Sequence, residues 1–400
     1  MTTPCDNIGI KCHVRDVLLQ PLYDFRRDNP GKLGTLGPAD FQLPSEFLES
    51  VANTHKQPKC CYNQCDSYAF GDLHGDLLVA LSVLHLTGLI SDTGHWIGLK
   101  SAVFFCGDIL DRAGRGDDNT DTEGNIREEV DLVQYLHHLH QAAAIVGGAV
   151  VVVVGNHEIG RVFWKEMEGY QKFVGSQACG WGDNMGALFS PGGDMAKYMA
   201  GHYPLIARCQ NFLFMHGGPS PGVIEKLAIE ARRGSPVSSV HKILNNYLYQ
   251  MFHQAESVVQ KDVQSVAWER LFSKHTSESF EENTCTKIIG GILEAFGIYT
   301  HGGLVLGHSI QDRILPYCDG KVWRLDLGMS EAFGRKVEGA DPLGGIHIIQ
   351  RLGDTFSIVT SHQTFPGSDE VVLTSYVNGK RTSQRGVSLE DTLKTHSSIL

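Results

Sequence analysis

The 400-residue chain has no long apolar run; the longest, Ala149–Val154, is six residues, whereas a bilayer-spanning helix needs about 20. Its first residues, MTTPCDNIGIKCHV, lack the apolar stretch of a secretory signal. Thr2 stands where myristoylation needs glycine, and the chain ends SSIL without a prenylation cysteine. No membrane partner is therefore expected, and the cytoplasm is the expected location. Positive charge is in deficit, with 34 Lys and Arg against 45 Asp and Glu and a net charge of −11. Nonspecific nucleic-acid binding needs a basic surface, so no nucleic-acid partner is expected. Ten cysteines are scattered along the chain. The cluster Cys60, Cys61 and Cys65 fits no standard zinc spacing. Without an export signal, reduced thiols are expected.

What is present is material for a core, with 42% hydrophobic and 20% charged residues. Residues 1–65 read as an N-terminal extension, 66–360 as a central domain and 361–400 as a tail. Short β-type runs are predicted at Ser67–Phe70, Ala102–Phe105, Ala149–Val154, Phe212–Met215, Leu304–Leu306, Val322–Leu327, Ile346–Ile349 and Phe356–Val359, with one more at Val371–Val377. Helical spacing covers Leu77–Leu89, and Arg127–Ala143 begins acidic, as a helix start prefers. In Ser239–Gln260, seven residues from Val240 to Phe252 form one apolar stripe. The alternation predicts a layered α/β (α+β) fold.

Five of these strands end in a turn that carries Asp, Asn or His. The turns are GDLHGD at 71–76, GDILDR at 107–112, GNHE at 155–158, HGG at 216–218 and GHS at 307–309. In layered α/β folds the carboxyl ends of the strands are where ligands bind. Aspartate, asparagine and histidine together suit Mn²⁺, iron or Zn²⁺. Asp72 and His74, two apart, face one way and are expected to bind one metal. Asp108 is placed to bridge, and Asn156, His216 and His308 complete a second site. Two such ions about 3.5–4 Å apart hold a hydroxide and aim it at phosphorus. His157, its second nitrogen held by Asp111, gives the leaving alkoxide a proton. Arg112 clamps phosphate oxygens. His301-Gly302-Gly303 repeats the HGG string, but it precedes its strand, so His216 is the expected ligand. His137, His138 and His140 lie on a helix without nearby carboxylates and are not expected to bind metal.

The five motifs resemble the calcineurin-like metallophosphoesterases and, more narrowly, the phosphoprotein phosphatase superfamily. With VAWERLF (266–272), LGHSIQ (306–311) and CDGKVWRLDLGMS (318–330), the chain is most similar to the bacterial-type, Shewanella-like protein phosphatases. The resemblance covers about residues 66–352. It implies a β-sandwich flanked by helices, with a dinuclear metal site at one edge. It implies the same ligand set, with His157 and Asp111 as the proton-donating pair. Arg112 and Arg270 would hold the substrate phosphate. Ala113 departs from the glycine usual at that position. The acidic segment 114–129 reads either as a rim loop that disfavours acidic substrates or, preferred, as a solvated connection. Residues 160–194, with Trp164, Tyr170 and Trp181, either shape a substrate pocket or form a helical subdomain.

The expected activity is metal-dependent hydrolysis of phosphomonoesters on a phosphoprotein substrate, with two divalent ions as cofactors. Phosphoserine and phosphothreonine are favoured over phosphotyrosine. The alternatives are a dinucleoside polyphosphate or nucleotide hydrolase, and an inactive scaffold on the same fold. The sequence names no regulatory partner.

Overall fold

The computed structural model describes residues 61, 65–91, 93–112, 128–167, 185–232, 240–253, 261–272, 282–299, 301–330, 332, 343–350, 357–364 and 370–388. Residues 1–60 and 62–64 of the N-terminal extension, Tyr170, Trp181 and the acidic segment up to residue 127 lie outside them.

All nine predicted strands form, and three others join them. In chain order they are β1 (Ser67–Phe70), β2 (Ala102–Phe105), β3 (Ala149–Val152), β4 (Ile206–Cys209), β5 (Phe212–Met215), β6 (Gly303–Leu306), β7 (Pro316–Tyr317), β8 (Val322–Arg324), β9 (Gly344–Gln350), β10 (Ser357–Thr364), β11 (Glu370–Val377) and β12 (Lys380–Ser388). The helices are α1 (Leu77–Leu86), α2 (Glu128–Ile145), α3 (Asn156–Val162), α4 (Met185–Phe189), α5 (Asp194–His202), α6 (Pro221–Arg232), α7 (Val240–His253), α8 (Lys261–Trp268) and α9 (Gly290–Ala295), the last preceded by a π-turn at Thr284–Ile289.

One sheet runs β12-β11-β10-β9-β1-β2-β3 and the other β4-β5-β6-β8-β7. Within them β1, β2 and β3 are mutually parallel, as are β5, β6 and β8. The carboxyl ends of β1, β2, β3, β5 and β6 carry the five motifs. Fully apolar strands such as β2 (AVFF) and β5 (FLFM) are buried along their whole length, as strands covered on both faces must be. The sheets meet face to face. Phe104 of β2 stacks on Phe214 of β5 with ring centroids 3.8 Å apart, worth about 0.5–1.5 kcal/mol beyond the area buried. The result is a sandwich of two mixed sheets flanked by helices, the predicted architecture.

The sheet does not stop at residue 361. That expected boundary falls inside β10, and β11 and β12 continue the same ladder. Tyr376 of β11 packs edge-on against Trp323 of β8, with centroids 5.3 Å apart, so this segment contributes to the core between the sheets. The β12 strand, KRTSQRGVS, has no apolar pattern and is mostly exposed. It forms because Asn378 and Gly379, both at positive φ (50° and 76°), make the two-residue turn that returns it to β11. β3 ends at Val152, two residues early, because Val154 N–H bonds to Pro204 O instead of continuing the ladder.

The cysteine expectation is corrected. Cys61 is bonded to Cys209, with Cα atoms 5.0 Å apart, and Cys285 to Cys318 at 5.1 Å. Partners 148 and 33 residues apart leave no local spacing signature. Disulfides are usual in oxidising compartments and rare in the cytosol, so the expectation of reduced thiols does not hold at these four cysteines. Among the described residues, no helix is long and apolar enough to cross a membrane.

Candidate metal centre

The motif turns are zipped to one another before any side chain is considered. Leu73 N–H and His74 N–H both donate to Asp108 O, at 3.1 and 2.8 Å, and Gly75 N–H donates to Ile109 O at 2.7 Å. Gly307 N–H donates to His216 O at 3.0 Å. Gly107 has φ +92°, and a Cβ there would stand 2.6 Å from His216 Nδ1, so the β2 turn needs glycine both for its conformation and for its closeness to β5. The Glu158 carboxylate collects four backbone donors: Asp108 N at 3.0 Å, Ile109 N and Leu110 N at 3.0 Å, and Gly155 N at 2.7 Å. It therefore ties the β2 turn to the β3 turn.

On this frame the six expected ligand residues, Asp72, His74, Asp108, Asn156, His216 and His308, converge and are buried. His74 turns Nδ1 to Leu110 O (3.2 Å), and its Nε2 lies 3.8 Å from both Asp72 Oδ2 and Asp108 Oδ2. His216 gives Nδ1 to Cys106 O (2.7 Å), which turns Nε2 to Asn156 Oδ1 (2.9 Å), Asp108 Oδ2 (3.1 Å) and His308 Nδ1 (3.1 Å). Backbone carbonyls thus orient both imidazoles, as in metal sites where the second nitrogen is held. Asp72 receives the N–H of His308 at 3.1 Å. Two donor groups, His74/Asp108/His157 and Asp108/His216/His308, each gather their ligand atoms within 4.8 Å and share Asp108.

The electrostatics call for a cation. Burial and the nearby Asp326 carboxylate push Asp72 well above the usual carboxylate range. Burial opposes a charged Asp108 as well, but His216 and His157 hold it well below that range. His216, despite its burial, is pushed up to about 10 by Asp108 and Asp72. Burial and His216 bring His308 down to about 3. A proton on His216 thus supplies positive charge that the two carboxylates require. His308 Nε2 is also buried without a hydrogen-bond partner, a costly state for a polar atom. Hard oxygen and imidazole donors, a shared carboxylate and excess negative charge fit two divalent ions.

His157 stands beside this cluster at the start of α3. Its Nδ1 is 2.6 Å from Asp111 Oδ2, and its Nε2 is 3.9 Å from Asp108 Oδ2. Arg112 is buried with Nη1 at 3.4 Å from Gly75 O and 3.6 Å from Asp76 Oδ1. Arg270 is exposed after α8, and its charge helps to hold His308 down. His301 lies exposed at the amino end of β6. His140 of α2 spends Nδ1 on Val150 O at 2.8 Å. Glu129, read as part of a solvated acidic connection, is instead fully buried and bonded to Arg161. Neither residue stood out in the sequence, because a charged residue in a polar stretch reads as surface.

A sandwich with this ligand cluster at its parallel strand ends defines a class of metal-dependent hydrolase. The model of the calcineurin-like phosphoesterases matches residues 68–309. The chain belongs to that family and is a phosphoric ester hydrolase.

Two relatives are similar over most of the chain. Shewanella-like protein phosphatase 2 of Arabidopsis thaliana is 24% identical over 304 residues, covering 66% of this chain and 71% of its own length. Shewanella-like protein phosphatase 1 of Plasmodium berghei is 24% identical over 300 residues, covering 72% and 75%. Among solved structures, the cold-active protein-tyrosine phosphatase of a psychrophilic Shewanella species superimposes with a TM-score of 0.50 at 17% identity, covering 81% of this chain and 80% of that one. That likeness shows the fold.

Proposed function

We propose that this chain is a protein phosphatase that hydrolyses phosphoserine and phosphothreonine monoesters. The observation that carries the reading is the His157–Asp111 pair, held at 2.6 Å beside two donor groups that share one carboxylate. Asp72, His74 and Asp108 would hold one divalent ion, and Asp108, Asn156, His216 and His308 the other. Mn²⁺, iron or Zn²⁺ suits this donor set. When bound, such ions supply Lewis acidity at the phosphoryl oxygens and a nucleophile from water at neutral pH.

The protein's own groups do the rest. Asp111 accepts the Nδ1 proton of His157, so the proton for the leaving oxygen comes from Nε2. Arg112 and Arg270 receive the phosphate oxygens as the substrate enters. The relatives named as protein phosphatases support a protein substrate. The proton donor supports a preference for serine and threonine. An alkoxide is a far worse leaving group than a tyrosine phenolate, whose parent has a pKa of about 10, so a built-in acid matters most for alkyl esters. The catalytic unit runs from residue 66 and includes β10 to β12.

The test is hydrolysis of matched phosphoserine, phosphothreonine and phosphotyrosine peptides, with a dinucleoside polyphosphate alongside. The purified chain is stripped of metal and refilled with Mn²⁺. Asp108→Asn and His157→Ala are each expected to lower kcat by about 100-fold or more. Turnover of the nucleotide without turnover of any peptide refutes the protein-substrate reading.

A further inference from the structure

The side chain that orients His157 is itself held by a buried arginine. Arg161 is four residues beyond His157 on α3, so the two project from one face of the helix. They divide one carboxylate between them. His157 takes Asp111 Oδ2 through Nδ1, while Arg161 takes Oδ1 through Nε at 2.8 Å and also through Nη2. The rest of the guanidinium is fixed by Glu129, with Nη1 3.2 Å from Oε1 and Nη2 3.4 Å from Oε2. Glu129 Oε2 in turn accepts the backbone N–H of Asp111 at 2.5 Å and of Arg112 at 3.3 Å. Phe189 closes the far side, its ring centroid 5.3 Å from the guanidinium carbon.

Asp111, Glu129 and Arg161 are all 0% exposed. Burying such charges costs more desolvation energy than their attraction returns on average, and apolar groups of similar volume often serve stability as well. Asp111 sits at φ +68°, a conformation its backbone leaves readily unless it is held. Glu129 holds its N–H and Arg161 holds its carboxylate. Together they hold Asp111 with Oδ2 2.6 Å from His157 Nδ1.

We propose that Arg161, backed by Glu129, is a positioning residue. It fixes Asp111 so that His157 keeps its proton on Nδ1 toward Asp111 and presents Nε2 to the leaving oxygen. This inference rests on His157 acting as the proton donor.

The experiment compares wild type with Arg161→Met, Arg161→Lys and Glu129→Gln in two ways. With Mn²⁺ loaded, kcat and KM are measured on a phosphoserine peptide and on p-nitrophenyl phosphate, whose leaving group departs without a proton. In the metal-free protein, the Nδ1 proton of His157 is followed by NMR in ¹⁵N-histidine-labelled samples, assigned by its loss in His157→Gln. Arg161→Met is expected to lower kcat on the peptide by about 10–100-fold, within the range of general-acid catalysis. The aryl phosphate should lose less than about 3-fold, KM should hold on both, and the Nδ1 proton signal should broaden or vanish. Arg161→Lys, which keeps the charge without the fork, should recover part of both readouts.

Equal losses on the two esters would mean a merely structural role and overturn the proposal, as would an unchanged Nδ1 signal in folded Arg161→Met. If that variant does not fold, Arg161→Lys and Glu129→Gln decide by the same two readouts. A wild type inert on every ester sinks the phosphatase reading, while the Nδ1 signal still decides whether Arg161 orients the imidazole.

Discussion

Gly155→Ala isolates how closely the ligand turns approach one another. Gly155 sits at φ −100°, ψ −176°, a conformation any residue adopts, so alanine carries no backbone penalty. It does carry a steric one. Its Cβ would press on Asp108 Oδ1, stand 2.5 Å from Asp108 N and stand 3.0 Å from Asp108 Cγ. A relaxed carbon contact is about 3.5–4.0 Å, so the β2 turn must retreat by roughly 1 Å. Asp108 N is tied to Glu158 and Asp108 Oδ1 accepts His157 N–H at 2.9 Å, so the shift reaches both the expected bridge and the expected proton donor. Overpacking of this kind costs about 1–3 kcal/mol. The smaller unfolded-state entropy of alanine offsets about 0.4–1 kcal/mol. The net loss, between about 0 and 2.6 kcal/mol, lowers the melting temperature by at most a few degrees in a protein of this size. A 1 Å misplacement at the chemistry costs about 100-fold in rate. The expected signature is thus a small melting shift with a large loss of Mn²⁺ content and turnover. Gly291→Ala is the control: it lies exposed in α9, and a Cβ there meets nothing within 4 Å. It should stabilise by about 0.5–1 kcal/mol. Wild-type metal content and kcat in Gly155→Ala would refute the close approach.

Three further outcomes are expected. His137 and His202, in ring contact beside Tyr198, are each brought by burial and neighbouring imidazoles to about 4. Above pH 6.5 both are neutral folded or unfolded and cost nothing. Below it the unfolded chain takes up protons first, so stability falls until about pH 4, by at most about 3 kcal/mol for each. His202→Phe, which keeps the stack on Tyr198, should reduce the melting loss between pH 7 and 4.5; an unchanged loss refutes it. Because His216 is pushed up to about 10 in the metal-free protein, Mn²⁺ binding at pH 8 should release about one proton from it. Calorimetry in buffers of different ionisation enthalpy reads this, and zero release contradicts the electrostatics. Finally, Cys285→Ser opens a bridge spanning 33 residues, worth about 4 kcal/mol by loop-closure entropy. Non-reducing melts should show the loss, and reduction should narrow the gap to wild type.

Strand positions were readable because β1, β2 and β5 are short apolar runs ended abruptly by glycine or histidine. The candidate ligand cluster was readable for a related reason. A ligand must sit where its strand stops, so each motif marks a strand end and a donor together. β4 was missed because Arg208 interrupts its run, and β12 because its polarity hides a strand held by hydrogen bonds alone. Only the Asn378-Gly379 pair, a two-residue hairpin turn, marks that strand in the sequence. Arg161 and Glu129 were invisible for another reason. Each alone is a surface residue type, and their burial is decided by partners 32 residues apart that no periodicity links. The bridge from Cys61 to Cys209 was hidden in the same way. Local chemistry shows in local sequence, and pairings across the fold do not.

The backbone of the site carries its own argument. Of the nine described non-glycine residues at positive φ, four are His74, Asp108, Asp111 and His308. Each such residue costs of order 1–3 kcal/mol and persists only where its surroundings over-determine it. The surroundings here are identifiable. His74 is held by the Asp108 carbonyl, Asp108 by Glu158, Asp111 by Glu129 and Arg161, and His308 by the Asp72 carboxylate. With the turns so held, ends of strands from two different sheets face a common point. The sandwich therefore supplies parallel strand ends, the glycines supply closeness, and the buried acids Glu158 and Glu129 hold the strained turns that make a shared site from five separate strands.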